Sequence, residues 1–173
     1  DGHVHRGVGG CAGDIGHIRI EESGPTCTCG NDGCLEAFFG GAALARDAEA
    51  AARGGRSAVL ADLLERRGAL TAVDVGEAAD AGDPVAVALI REGGERLGFA
   101  LATLVSFFNP ALVVIGGGVA GLGHRLLAEI RGVVYRRSLP LATGNLPIVL
   151  SEMADRAGVV GAARLVSDTV LTA

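Results

Sequence analysis

The stretch CTCGNDGCLE, Cys27 to Glu36, packs three of the chain's 4 cysteines around a glycine-bounded turn and follows them at once with an acid. Thiols at this density form disulfides, run redox exchange or bind a soft metal, and their spacing discriminates between these. One residue between Cys27 and Cys29 is too few for relaxed disulfide geometry. Nor is this the CxxC spacing of thiol oxidoreductases. Zinc takes four sulfur or imidazole donors at the corners of a tetrahedron. Cys27, Cys29 and Cys34 supply three, and Gly30 and Gly33 let the backbone curl around an ion. His17 is the natural fourth donor, since the connection to Cys27 can return through Gly24-Pro25. Three cysteines and one histidine close the shell and leave no position for water, so such a site is structural. Three free thiols in a reducing compartment are the competing reading. Cys11 has no partner at useful spacing and reads as a buried small hydrophobe.

A structural metal matters through what it positions. Asp14 and Glu36 bracket the loop. If one ring nitrogen of His17 holds the metal, the other is free to donate to a ligand oxygen, its tautomer fixed by the ion. Asp14, His17 and Glu36 then form a fan of acceptors and a donor suited to the vicinal hydroxyls of a sugar. Taken singly, Asp14 also reads as a solvent-facing loop acid, and Glu36 as a first-turn helix acid favoured by the dipole. Gly116-Gly117-Gly118 fits a nucleotide loop, where glycines admit a phosphate or ribose. It is neither GxGxxG at a crossover nor a Walker A sequence. Tight packing of the following helix explains it equally well.

The elements around these residues follow from pattern. A short strand is expected at residues 3–6 after an Asp1-Gly2 turn. RGVGGCAGDIG reads as loop, and GHIRIEE, with Ile18 and Ile20 alternating against Arg19 and Glu21, as a half-buried strand. A helix is expected from Leu35 to about Ala52, broken or bent at Gly40-Gly41. Short helices follow over 56–67 and 71–81. Asp83-Pro84 is an N-cap with proline at the first helical position. The helix it starts runs to about Phe108, stops before Asn109-Pro110 and forms the central core. Leu112 to Ile115 is a continuous apolar run ending in the glycine triplet, as expected of a buried parallel strand. A helix through Leu126 and Ile130, a strand over 147–150, a turn capped by Ser151 and a closing small-residue helix complete an α/β order.

The chain has 173 residues, 49% of them hydrophobic but only 3% aromatic, so valine, leucine and alanine carry the packing. Net charge is −5, and every one of the 15 basic residues is arginine. That balance argues against this surface alone gripping nucleic acid. No apolar run reaches the roughly 20 residues of a membrane span, and DGHVHRG lacks the features of a secretory signal. A cytoplasmic protein is expected. The opening on Asp1, without methionine, is read as that of a fragment.

GDIGH (13–17) with CTCGNDGCLE (27–36), FFNPALVVIGGGVA (107–120) and PIVLSEMADRAGVVGAARL (147–165) resembles the ROK family, which groups sugar-responsive repressors with sugar kinases. The resemblance covers nearly the whole chain. It implies an α/β, actin-like (ribonuclease-H-like) ATPase-type fold, of which 1–173 would be the carboxy-terminal lobe with a zinc-knuckle loop over 17–36. It also implies zinc on His17, Cys27, Cys29 and Cys34, with sugar hydroxyls on Asp14, His17 and Glu36. In the kinases Gly116, Gly117 and Gly118 would lie near the adenosine of ATP, bound with magnesium. Position 14 is Asp where the family usually has Glu, which shortens its reach. The family's catalytic aspartate, first phosphate loop and, in repressors, helix-turn-helix would precede residue 1, so phosphoryl transfer by this piece alone is not expected. GDIGHIR and SFFNP look more like the regulators. The leading expectation is therefore an effector-sensing and oligomerisation domain of a transcriptional regulator. Its partners would be a sugar, or a phosphorylated or N-acetylated sugar, and copies of itself as homodimer or homotetramer. DNA would be reached only through another domain. The alternative is half of an ATP-dependent, glucokinase-like hexose kinase.

Overall fold

Asp83 starts the element around which the rest is arranged. Its carboxylate accepts from the Ala86 amide at 2.8 Å, and Pro84 stands at the first turn. The helix runs Pro84–Phe108 and ends at Asn109, which takes a left-handed conformation (φ 44°) before Pro110. The computed structural model describes residues 4–153 and 156–171. In chain order the helices are α1 (Leu35–Phe38), α2 (Gly41–Arg53), α3 (Ala58–Arg67), α4 (Ala72–Asp80), α5 (Pro84–Phe108), α6 (Gly123–Arg137), α7 (Pro140–Thr143) and α8 (Ala157–Leu171). Strands β1 (Val113–Ile115) and β2 (Ile148–Leu150) pair in parallel, Val113 opposite Ile148 and Ile115 opposite Leu150.

The crossover from β1 to β2 passes through α6, which packs on both α5 and β2. Close approach of α5 and α6 depends on two glycines one turn apart. A Cβ on Gly98 would sit 2.8 Å from the Val133 Cβ, and one on Gly94 2.7 Å from the Glu129 Cβ. Gly93 lies under the ring of Phe39. On the other flank α2 and α4 pack on α5, α3 packs on α2 and α4, and one core runs through Leu60, Val75, Ile90, Leu126, Ile130 and Ile148. Among the described residues no helix is long and apolar enough to cross a membrane.

The expected helix over 35–52 is two helices, because Phe39 and Gly40 are extended between α1 and α2. Three other expectations need correction. Residues 18–21 form no strand: the segment makes a single antiparallel bridge, Arg19 to Cys34, flanked by Ile20 N–H to Gly33 O and Leu35 N–H to Ile18 O at 2.9 Å each. The partner segment turns into α1 directly after Cys34, which leaves no length for a ladder. Cys11 is exposed, its thiol 3.6 Å from the Gly9 carbonyl, because it sits in a glycine-rich loop, residues 4–14, that is exposed throughout. The Asp1-Gly2 turn lies outside the described residues, and Val4 to Arg6 are not in a strand.

Candidate metal and ligand site

Two short turns bring the sequence-derived residues together. Ile15–His17 is a single 3-10 turn that directs the His17 ring toward the cysteine loop. In that loop the Cys27 amide donates to Asn31 O at 2.8 Å and the Gly30 amide to Cys27 O at 2.9 Å, while Thr26 bridges Asp32. Gly30 (φ 87°) permits the first reversal. Gly33 (φ 79°) is required for two reasons: its conformation is left-handed, and a Cβ would overlap the Glu21 carbonyl. Cys34 then stands at the N-cap of α1, so Glu36 occupies the first turn beside Ile15–His17.

The donor atoms of His17, Cys27, Cys29 and Cys34 all lie within 4.8 Å of one another. Cys27 Sγ is 3.4 Å from His17 Nδ1, and Cys29 Sγ is 3.7 Å from Cys34 Sγ. A tetrahedral zinc with ordinary bond lengths separates two sulfurs by about 3.8 Å, and a sulfur from a nitrogen by about 3.6 Å. The cluster fits a metal ion of that kind, and all four cysteines are free thiols. Cys27 and Cys34 are buried and Cys29 is exposed. The Asn31 backbone amide, helped by its side chain at 3.4 Å and the neighbouring thiols, lowers the Cys29 pKa to about 7. Burial, with the adjacent thiols, pushes Cys34 up to about 11.

The far nitrogen of His17, Nε2, lies 3.7 Å from Asp14 Oδ2. Glu36 closes the third side: the Cβ position of Gly16 is 3.0 Å from Glu36 Oε2 and 3.6 Å from Asp14 Oδ1. Asp14, His17 and Glu36 thus meet around one glycine, on the side of the imidazole away from the thiols. This gathers two carboxylates and a ring nitrogen at a surface open to solvent.

From Glu36 and Gly16 a cleft of about 360 Å³, apolar apart from that carboxylate, leads along Leu97 and Ile115 to Gly116. Gly116, Gly117 and Gly118 lie at the end of β1. Gly117 has φ 76°, and a Cβ on Gly117 or Gly118 would meet nothing within 4 Å. Tight helix packing therefore does not account for the triplet. Gly117 and Gly118 instead line a second cavity of about 530 Å³ with Ser151 and the start of α8 at Ala157 and Gly158.

The sequence reading did not find the clasp that fastens this loop to α5. Arg96 Nε approaches Glu21 Oε1 at 3.4 Å, and its guanidinium lies over Phe38, 4.8 Å from the ring centroid. Gly24 sits flush on the same ring, with no room for a Cβ. Arg96 is too far away in sequence to carry a local signal. Asn31 had one, an Asn-Asp-Gly turn between thiols.

The ROK family pattern matches residues 1–169. A glucokinase of Halalkalibacterium halodurans is 38% identical over 96% of this chain, and a putative xylose repressor of Caldicellulosiruptor sp. is 33% identical over 97%. This chain spans 51% and 42% of those two proteins, about half their length. Among solved structures, a ROK family glucokinase from Streptomyces griseus, in complex with glucose and AMPPNP, superposes with a TM-score of 0.79 at 35% identity, covering 93% of this chain and 53% of that one. The relatives include both regulators and sugar kinases on one α/β, actin-like architecture, and this chain belongs to the ROK family.

Proposed function

We propose that this chain is the sugar-sensing and oligomerisation region of a ROK-type transcriptional regulator acting in the cytoplasm, and corresponds to the carboxy-terminal lobe of the family's fold. Zinc on His17, Cys27, Cys29 and Cys34 orders the loop, and Asp14, His17 and Glu36 receive sugar hydroxyls. The observation that carries this reading is the placement of His17, with Nδ1 toward Cys27 and Nε2 toward Asp14. A metal on the first nitrogen makes the second a fixed N–H donor, and the two acids beside it are acceptors. A sugar ring offers donors and acceptors at matching spacing. Zinc, held by four protein donors, supplies shape and no chemistry.

Sugar binding would act on DNA only through another part of the protein, by favouring one of two packings of the whole. Phe107 and Phe108, exposed at the end of α5 with rings 4.8 Å apart, support the association of copies. A second reading, half of an ATP-dependent hexose kinase, is favoured by one observation, the open cavity between Gly117, Gly118 and the start of α8.

Calorimetry on the zinc-loaded intact protein tests both. Saturable hexose or N-acetylhexosamine binding, abolished in Glu36→Gln with zinc content unchanged, is expected. Sugar binding without ATP binding fits the regulator, and ATP binding weakened by Gly117→Val fits the kinase. If no sugar binds while zinc is present, the sensing role is wrong.

A further inference from the structure

The four donors of the cluster are unequal in access. Cys34 is 0% exposed and Cys27 6%, whereas Cys29 faces solvent. Cys29 Sγ lies 3.7 Å from Cys34 Sγ, and a disulfide needs about 2.05 Å. The turn between them, Gly30-Asn31-Asp32-Gly33, begins and ends on a glycine at positive φ, so it can tighten without dragging a bulky residue. Cys27 Sγ faces His17 Nδ1 at 3.4 Å, and a single residue between Cys27 and Cys29 is too few for a relaxed bridge between those two.

We propose that Cys29 and Cys34 are an oxidation site, an exposed attacking thiol and a buried resolving thiol that a peroxide converts to a disulfide with loss of the metal. This rests on the zinc reading above. The Cys29 thiolate attacks one oxygen of hydrogen peroxide, forming an S–O bond, breaking the O–O bond and expelling hydroxide. The Cys34 thiolate then attacks the sulfur of the Cys29 sulfenic acid, forming the S–S bond and expelling a second hydroxide. Two thiolates lose two electrons and one peroxide gains them. Only Cys27 and His17, half the donor set, would then remain to hold zinc, too few to retain it. Cys34 stands at the N-cap position of α1, which carries Glu36, and His17 would lose the ion that fixes its tautomer. Oxidation therefore disassembles the ligand site as well.

The test treats the zinc-loaded protein, in a Cys11→Ser background that removes the exposed thiol outside the cluster, with hydrogen peroxide. Released zinc is followed with a chromogenic chelator, and the thiols are mapped by mass spectrometry after alkylation. The expected result is one zinc lost per Cys29–Cys34 disulfide, with recovery on adding reductant and zinc. Zinc retained while Cys29 is oxidised overturns the inference, as does a disulfide to Cys27 or a product dominated by sulfinic and sulfonic acids. Protein that never carries zinc overturns this inference and the zinc reading together. Zinc-loaded protein that releases metal as expected but binds no sugar removes the sensing role and leaves the oxidation site standing.

Discussion

His17 stands between two chemistries, with Nδ1 3.4 Å from Cys27 Sγ and Nε2 3.7 Å from Asp14 Oδ2. The two roles separate on substitution. His17→Cys supplies a fourth metal donor but no second nitrogen, so zinc content should remain at one per chain. Sugar affinity should fall about tenfold, the worth of one hydrogen bond of ~1.4 kcal/mol. His17→Ala removes both roles, and elemental analysis beside calorimetry reads them independently. Equal sugar affinity in His17→Cys would show that Nε2 makes no contact with the ligand.

Gly33 bears the geometry of the loop more directly than any side chain. Its φ of 79° and the Glu21 carbonyl against its α-carbon forbid a Cβ without moving the backbone that holds Cys34. Gly33→Ala should cost about 1–3 kcal/mol in the loop, and with it a tenfold or greater loss of zinc affinity against a competing chelator. Gly30→Ala, at φ 87° but with open space around the Cβ position, should lose less. If the two variants hold zinc equally well, the close approach at Gly33 is irrelevant to the site.

The two thiols with displaced pKa values set a pH dependence. Coordination takes both as thiolates. Cys34, pushed up to about 11, must surrender a proton to the metal throughout the neutral range. Cys29, lowered to about 7, is largely ionised above that pH and protonated below it. Protons compete with the ion, so affinity falls as pH falls. This pair contributes about one proton of slope above pH 7 and about two below. Zinc titrations with a competing chelator at about pH 6 and about pH 8 should give the steeper dependence on the acid side. A slope that flattens below about pH 7 would contradict these assignments.

The sequence made the grouping of His17 with Cys27, Cys29 and Cys34 legible because cysteine and histidine are rare here and these four fall within one short stretch of chain. Helix α5 was legible because both ends carry their own stop chemistry, Asp83-Pro84 and Asn109-Pro110. What failed depended on partners that local pattern does not contain. The alternation at Ile18 and Ile20 describes a strand only if a neighbour of matching length exists, and the neighbour turns into α1 instead. Cys11 was assigned to a core by its residue type, but the loop that carries it, residues 4–14, is exposed throughout. Arg96 reaches Glu21 and Phe38 from a helix remote in sequence, a contact only the packing of α5 creates. The glycine triplet was ambiguous until the φ of Gly117 and the open space around Gly118 distinguished a turn from a packing contact.

Ser57 and Asp83 connect two helix starts that look independent in the sequence. Asp83 Oδ1 accepts from the Ala86 amide at 2.8 Å and caps α5, while Oδ2 accepts from the Ser57 hydroxyl at 2.7 Å. The same hydroxyl oxygen accepts from the Leu60 amide at 3.0 Å and caps α3. Both residues are buried, so water cannot replace a missing partner easily. Asp83→Ala should lose the α5 cap, about 1 kcal/mol, and leave the Ser57 hydroxyl unpaired, another 1–2 kcal/mol or about that. Ser57→Ala should lose the α3 cap and leave the Asp83 carboxylate one partner short, about 2–3 kcal/mol by the mirrored argument. Because each substitution already breaks the shared bond, the double variant should be less destabilised than the sum, with a coupling of about 1 kcal/mol. Urea unfolding of the four proteins closes that cycle. Strict additivity would mean that the two caps act separately, and that α3 and α5 are joined only by the apolar contacts of Leu60 and its neighbours.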